Sequence, residues 1–169
     1  MTIRTCLCLV TRNAPGGTLQ VLLGYKKTGF GAGRWVGIGG HVEDGEETVA
    51  AAIRELAEET GLIAEAPDLT HLAELDFRFP ARPEWDQTAD VFLTSAAIGE
   101  PAESDEVIPR WFGAAELPLD GMWDDARYWL PLVLAGQPIR ARITFAADCA
   151  TVALTDPPLR PALPETAAP

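Results

Sequence analysis

Apolar segments separated by turn-forming residues predict that much of this chain consists of short strands. Residues 2–10 and 19–23 are rich in Cys, Leu and Val, and the turn formers of residues 13–17 lie between them. This arrangement predicts a β-hairpin. Apolar, β-branched and aromatic residues bounded by turn formers predict further strands in four segments, residues 72–79, 89–96, 107–112 and 139–145.

One segment has the period of a helix instead. Apolar residues recur at positions i, i+3, i+4 and i+7, which predicts an amphipathic helix over residues 48–60 whose core stripe is Val49, Ala52, Ile53 and Leu56. Thr48 is predicted to cap its start, and Gly61 is predicted to end it in the left-handed conformation.

The remaining segments complete a mixed α/β domain. The Gly-rich loop of residues 26–33 allows its backbone to approach a ligand closely. A second helix is predicted over residues 125–135, where Pro131 should kink it or leave a carbonyl unpaired. The length suits one domain, which we assign to residues 1–156, and the Pro- and Ala-rich tail of residues 157–169 is expected to be disordered.

Three glutamates crowd one face of the first predicted helix. Glu55, Glu58 and Glu59 stand at i, i+3 and i+4, where like charges destabilise a helix by roughly a few tenths of a kcal/mol per pair. A divalent cation would offset this repulsion. Arg54 can donate a fork of hydrogen bonds to Glu58 or to Glu46. The alternative is an exposed acidic helix that only keeps the protein soluble.

The complete spacing of this region favours the metal site. It matches G-x5-E-x7-R-E-U-x-E-E-x-G-U, where U is aliphatic, at all nine specified positions, Gly40, Glu46, Arg54, Glu55, Leu56, Glu58, Glu59, Gly61 and Leu62. This pattern resembles the signature of the Nudix hydrolases. The resemblance implies an α/β/α sandwich with a mixed sheet. It also implies hydrolysis of a nucleoside diphosphate linked to another group, with Mg²⁺, or alternatively Mn²⁺, held by the glutamates.

The resemblance continues outside the signature and covers most of residues 2–145. Segments 21–35, 103–106, 111–112, 122–123 and 128–129 are similar to the MutT-like branch of that family, the oxidised purine nucleoside triphosphatases. This implies conversion of a nucleoside triphosphate, 8-oxo-dGTP as first guess, to monophosphate and pyrophosphate. A Nudix hydrolase of another substrate such as ADP-ribose is the alternative. A non-enzymatic binding module would be expected to lack signature glutamates.

The same resemblance implies the residues of the site. The implied metal ligands are Gly39, Glu55, Glu58, Glu59 and Glu106. The catalytic set comprises Glu55, Glu58 and Glu59, supported by Arg54 and Glu46, and the identity of the general base stays open. The substrate-binding set is Thr5, Lys26, Phe30, Val36, Phe77, Trp123 and Asp125. Within it, Trp123 offers an aromatic face to a base and Asp125 can bind its polar edge.

Two departures from that branch bear on base selection. Val36 stands where members of the branch have an asparagine that hydrogen-bonds the base, and valine cannot replace those bonds. The branch also has two aspartates after its Trp-Pro, whereas Trp123 is followed directly by Asp124 and Asp125 and then by Ala126. Ungapped alignment keeps only Asp125, and a one-residue shift would restore both.

Charge and composition narrow the partners and the location. Lys and Arg total 13 against 25 for Asp and Glu, and a net charge of -12 argues against binding a nucleic-acid polymer. No apolar run is long enough to span a membrane, and the N-terminus lacks the build of a signal peptide. The three cysteines are expected to be reduced. We therefore expect a cytoplasmic monomer that acts on a nucleotide and binds no membrane.

Overall fold

A mixed β-sheet forms the centre of the protein. The computed structural model describes residues 2–162. Its strands are β1 Ile3–Asn13, β2 Leu19–Lys26, β3 Trp35–Val36, β4 Ile38–His41, β5 Thr70–Arg78, β6 Gln87–Thr94, β7 Val107–Gly113, β8 Ile139–Phe145 and β9 Val152–Asp156. Its helices are α1 Thr48–Thr60 and α2 Ala126–Leu134, and single 3₁₀ turns span Ala66–Asp68, Pro83–Trp85 and Leu119–Gly121.

The strands follow the order β3-β2-β1-β6-β5-β8-β9, with β4 also paired to β1 and β7 to β2. The pairs β1·β6 and β5·β8 are parallel, whereas the other pairs are antiparallel. The first part of β1 lies between β4 and β6, and its last residues pair with β2. The predicted mixed sheet and the predicted hairpin are therefore confirmed.

Alternation along the strands separates two hydrophobic cores. In β1, Cys6 and Cys8 belong to the core beneath α1, while Leu9 belongs to the core beneath α2. Leu56 of α1 and Leu130 of α2 are each fully buried, one in each core. One helix thus covers each face of the sheet, which confirms the predicted α/β/α sandwich.

The first helix has the predicted bounds but a different start. Gly61 ends it with φ 76°, as predicted, and its N–H donates to the Ala57 carbonyl. The prediction that Thr48 caps the start is wrong. Glu47 occupies the cap position in an extended conformation and forms no side-chain cap bond, so Thr48 is already the first helical residue.

Three strands were not predicted from the sequence because they are short and two of them lie in a glycine-rich segment. The segment that contains β3 and β4 is short and glycine-rich, and β9 is a short strand after a turn. These strands form through pairing with β2, β1 and β8 respectively. The strand predicted over residues 89–96 begins two residues earlier, at Gln87.

The described part of the tail packs on α2. Pro131 lies inside α2 and has no N–H to offer the Arg127 carbonyl one turn earlier. That carbonyl accepts a hydrogen bond from the Ala162 N–H, at 2.7 Å, and Leu159 packs against the core. Residues 159 and 162 thus contact the domain, and the boundary at residue 156 with a disordered tail over residues 157–169 stays a prediction. The rest of the tail, residues 163–169, lies outside the described residues.

The three cysteines lie in the interior of the protein as free thiols. Cys6, Cys8 and Cys149 are all buried and unbridged. Burial raises the pKa of Cys6 to about 11 and that of Cys8 to about 12, so both remain neutral thiols.

Between residues 2 and 162, no helix has the length and apolar character needed to cross a bilayer.

The contact between the tail and α2 should contribute to stability. We expect a chain ending at Asp156 to be less stable than one ending at Ala162 by about 1 to 3 kcal/mol, because the Arg127 carbonyl loses its donor and Leu159 its burial. Urea unfolding of the two truncated chains measures the difference. Equal midpoints and slopes would show that this contact contributes nothing.

Candidate active site

A cavity of about 530 Å³ opens on the α2 face of the sheet. Eight aromatic residues line it, Phe30, Trp35, Phe77, Phe79, Trp85, Trp123, Trp129 and Phe145. Polar side chains at its wall include Thr5, Lys26, Gln87, Glu106 and Asp125. An apolar cavity of this size with a few polar groups is the usual form of a small-molecule site.

One end of the cavity meets the acidic face of α1 through Glu59. This side chain is only 4% exposed, and its Oε2 accepts a hydrogen bond from the Gly39 N–H at 3.1 Å. Lys26 Nζ lies 3.5 Å from Glu59 Oε1 and 3.1 Å from Glu106 Oε2. The helix acid, the loop acid and the β4 backbone therefore converge on the residues that line the cavity.

Burial makes the carboxyl of Glu59 an unusually weak acid. Desolvation raises the pKa of its carboxyl to about 7, although the Gly39 N–H and the Lys26 ammonium both act to lower it. A carboxylate that is short of solvation gains more than an exposed one from a bound cation. Glu59 is thus a strong candidate ligand or base on physical grounds.

Arg54 holds the other signature acids. Its Nε and Nη2 each lie 3.0 Å from an oxygen of Glu46, and Nη1 lies 2.8 Å from Glu55 and 3.2 Å from Glu58. The two partners that the sequence allowed are therefore both present, together with a third. These bonds lower the pKa of Glu46 to about 2. Nη2 also donates to the His41 carbonyl, which ties α1 to the end of β4.

The two glycines of β4 permit close approaches, Gly40 to the helix α1 and Gly39 to the backbone of β1. A Cβ on Gly40 would lie 2.6 Å from Oε1 of Glu55, and a Cβ on Gly39 would lie 2.0 Å from the Cys6 carbonyl oxygen. Neither position can carry a side chain without displacing its neighbour. The first signature glycine is thus explained by the space that the Glu55 carboxylate occupies.

The acids fit a hard divalent cation by their chemistry. Such ions take carboxylate and carbonyl oxygens, and Glu55 and Glu59 present carboxylates beside the β4 backbone. Within residues 2–162, however, no three His, Cys, Asp or Glu side chains already converge as a ligand set. Glu58 is 59% exposed and is held by Arg54. Its predicted role as a ligand remains a prediction.

The opposite end of the cavity is an aromatic cluster. Phe30, from the Gly-rich loop, stacks on Trp123 with ring centroids 5.1 Å apart and an interplanar angle of 16°. Arg34 Cζ lies 4.3 Å from the centroid of the Trp123 ring. Phe79 and Trp85 contact Phe30 edge-on. A base that stacked on the Trp123 face covered by Phe30 would take the place of that ring.

The acidic pair after Trp123 splits between two environments. Asp125 lines the cavity, is 6% exposed and accepts a 2.7 Å hydrogen bond from Trp129 Nε1. Asp124 instead accepts from the Val152 N–H and pairs with Arg127, each at 2.8 Å. Asp124 is not among the cavity residues, so the one-residue shift does not place both acids there.

Burial raises the pKa of Asp125 to about 6, against the hydrogen bond from Trp129. Near neutral pH this carboxyl is therefore readily available in both protonation states, so it can accept or donate a hydrogen bond. Such a group suits the polar edge of a base buried among aromatic rings.

The cavity brings together most of the residues predicted from the sequence. Its lining includes Gly39, Glu106 and the whole predicted substrate set, Thr5, Lys26, Phe30, Val36, Phe77, Trp123 and Asp125. The predicted catalytic residues are not part of the lining, namely Glu46, Arg54, Glu55, Glu58 and Glu59. Of these, Glu59 contacts the lining residues Lys26 and Gly39.

One wall of the cavity was not predicted from the sequence. It is formed by Glu84, Trp85 and Gln87. Gln87 pairs with Phe77, and Ala89 two residues later also lines the cavity. Extending the predicted strand back to residue 87 would have placed Gln87 on this face by alternation.

Fold and site together define a phosphoanhydride-cleaving enzyme class, and the family comparison agrees. The NUDIX domain model matches residues 1–133, and the chain belongs to the Nudix family. It is a Nudix pyrophosphohydrolase.

Curated relatives point to one branch of the family. The chain is similar to the oxidized purine nucleoside triphosphate hydrolase of Mus musculus, with 43% identity over 115 residues, 68% of this chain and 72% of the relative. Its likeness to the protein of the same name in Danio rerio is 44% over 128 residues, 76% of this chain and 78% of the relative.

Solved structures show the same fold. The MutT protein of Bacillus halodurans superposes with a TM-score of 0.73 at 22% identity, covering 92% of this chain and 98% of that one. The MutT NUDIX hydrolase of Burkholderia pseudomallei superposes with a TM-score of 0.60 at 30% identity, covering 70% and 88% respectively.

Gly40→Ala should damage the cation site without unfolding the protein. The new Cβ would displace the Glu55 carboxylate, and we expect the affinity for Mn²⁺, measured by EPR titration, to fall about 10- to 100-fold. Gly113→Ala is the matched control, because its Cβ would meet Glu116 at an ordinary 3.6 Å. Equal affinities in the two variants would contradict this account of the first signature glycine.

Glu59 should make the cation-free protein less stable as the pH rises. Its pKa rises from 4.5 to about 7 on folding, so its contribution to stability is present below pH 4.5 and is lost as pH increases through 7. Glu59→Gln lacks this dependence. We expect the free energy of unfolding of the wild type, relative to Glu59→Gln, to fall between pH 5 and pH 8 in EDTA. A constant difference in urea unfolding would exclude the shifted pKa.

Proposed function

We propose that this protein hydrolyses modified purine nucleoside triphosphates to the monophosphate and pyrophosphate in a Mg²⁺-dependent reaction, with 8-oxo-dGTP as the first substrate to test. One observation carries the proposal: the desolvated signature glutamate Glu59 contacts Lys26 and Gly39 at the wall of a cavity whose aromatic part contains the buried carboxyl of Asp125. Such a cavity can hold the phosphates at one end and the base at the other. Both curated relatives are named oxidized purine nucleoside triphosphate hydrolase.

At the phosphate end, positive charge must meet the triphosphate locally, because the protein as a whole is strongly acidic. Lys26 lines the cavity there and can bind a phosphate oxygen. When bound, the cation supplies neutralisation of the charge that develops on the phosphates. Glu55, Glu58 and Glu59 remain the predicted ligands, with Gly39 and Glu106 beside them.

Proton transfer from the attacking water requires a nearby carboxylate. Glu59 contacts the cavity residue Lys26 and is fixed by the Gly39 N–H, whereas Glu55 and Glu58 are engaged by Arg54. Arg54 and Glu46 act by positioning the helix acids. The base is one of the three glutamates or Glu106, and mutation of each will divide these roles.

At the base end, Asp125 is the buried acid that can read a purine edge, with Trp123 and Phe30 as the aromatic surfaces. Val36 contributes apolar contact and no side-chain hydrogen bond. This feature favours the second candidate, a Nudix hydrolase of another nucleoside diphosphate derivative such as ADP-ribose. Thr5 and Phe77 complete the proposed contacts.

The proposed setting is a cytoplasmic monomer that acts on free nucleotides and binds neither membranes nor nucleic-acid polymers. The net charge of -12 supports the exclusion of polymers, and the buried, unbridged cysteines suit a reducing compartment.

A substrate panel tests the proposal. We expect kcat/KM with Mg²⁺ to be at least about tenfold higher for 8-oxo-dGTP than for dGTP, with monophosphate and pyrophosphate as products. The reason for this expectation is the proposed hydrogen bond between the Asp125 carboxyl and the polar edge of the purine, which would select between the two bases. ADP-ribose is included, and chromatography identifies the products.

Glu59→Gln controls for contaminating phosphatases, since we expect its turnover to fall about 100-fold or more. Glu65→Gln is the matched control, because Glu65 is an exposed residue beyond α1. Preference for ADP-ribose, or cleavage of no triphosphate, would overturn the proposed substrate and leave the family assignment intact.

A further inference from the structure

We propose that Lys26 competes with the divalent cation for Glu59 and Glu106, so that cation binding releases its ammonium to the substrate phosphates. The competition concerns only the protein and a cation. The second part, transfer to a phosphate, rests on the proposed function. Lys26 is thus a positioning residue that couples the two binding events.

The first support is the placement of the ammonium group. Lys26 Nζ lies between two carboxylates that belong to separate elements, Glu59 in α1 and Glu106 in the loop before β7. The lysine side chain is 17% exposed and Glu59 is 4% exposed, so these two charges meet largely out of water, whereas Glu106 is 60% exposed. Both acids are members of the predicted metal set. Glu106 lines the cavity, and Glu59 contacts the lining residues Lys26 and Gly39.

The second support is the rigid backbone on both sides of this contact. The Lys26 N–H donates to the Arg34 carbonyl at 2.9 Å, and the Lys27 N–H donates to the Glu106 carbonyl at 2.8 Å. Glu59 is fixed by the Gly39 N–H. These hydrogen bonds hold the backbone on both sides of the contact in place. A cation that engages Glu59 and Glu106 would therefore displace the flexible lysine side chain and not the backbone.

Displacement has a predictable consequence for Lys26. Its ammonium would lose both acids and would stand, partly buried, beside a doubly charged ion. Such a group is costly unless an anion meets it. Because Lys26 lines the cavity, a phosphate oxygen of a bound nucleotide is the natural partner. By linkage, cation and nucleotide then each strengthen the binding of the other.

Lys27 offers a matched control. It lies one residue further on and pairs with Glu103, whose carboxylate is 59% exposed, so it has the same charge and a similar ion pair outside the cavity. Lys27→Met changes the net charge as Lys26→Met does. Any difference between the two variants reports the location of the lysine and not the total charge.

The first measurement is Mn²⁺ binding to the nucleotide-free protein by EPR titration. We expect Lys26→Met to bind Mn²⁺ about fivefold or more tightly than Lys27→Met, because the ion no longer has to displace the ammonium. Lys26→Gln should behave as Lys26→Met does, and it replaces that variant if Lys26→Met does not fold. Equal or weaker binding by the Lys26 variants would overturn the proposal.

Thermal unfolding in EDTA separates competition for the two acids from simple charge repulsion between the Lys26 ammonium and the cation. If the ammonium stabilises the cation-free site through its two acids, Lys26→Met should have a lower Tm than Lys27→Met, and saturating Mn²⁺ should raise its Tm by more. Repulsion alone predicts that removing the lysine leaves the cation-free Tm equal to that of Lys27→Met. That result would also overturn the proposal.

The nucleotide arm tests the coupling. The affinity for a non-hydrolysable triphosphate, measured with and without Mn²⁺, should depend on Mn²⁺ less in Lys26→Met than in Lys27→Met. Equal dependence would overturn the transfer to phosphate and leave the competition standing. Because the Mn²⁺ titration and the unfolding need no substrate, their failure is distinguishable from failure of the proposed triphosphate activity.

Discussion

The approach of the β4 backbone to the acidic face of α1 is the constraint on which the site depends. Gly39 donates its N–H to Glu59, and Gly40 leaves space for the Glu55 carboxylate. This contact requires glycine at position 40, and it buries a carboxylate that would otherwise be solvated. Glycine at position 39 is required by the backbone of β1. The unusual acidity of Glu59 follows from the same packing that holds α1 on the sheet.

Concentrating negative charge at one place requires internal cations. Arg54 holds Glu46, Glu55 and Glu58, and Lys26 holds Glu59 from the cavity side. The two residues differ in a way that suits different tasks. The guanidinium is a rigid fork that fixes geometry, whereas the ammonium ends a flexible chain and can exchange partners.

The cavity itself is a product of distant chain segments. Phe30 comes from a Gly-rich loop, Trp85 from a 3₁₀ turn and Trp123 from the segment before α2, and their rings meet at one end of the sheet. Asp125 is buried in the wall of the same cavity, where Trp129 donates a hydrogen bond to it. Its neighbour Asp124 serves structure instead, by accepting a hydrogen bond from β9.

The sequence by itself determined α1, its left-handed end at Gly61, the mixed α/β class and the signature acids, since helical period and side-chain type are local properties. Tertiary structure alone decided that β3 and β4 are strands, which acid of the 124–125 pair enters the cavity, and that Gln87 and Trp85 form a wall. It also decided that the Arg127 carbonyl, left free by Pro131, is satisfied by Ala162. These features depend on pairing and burial between residues far apart in the chain, which no local pattern encodes.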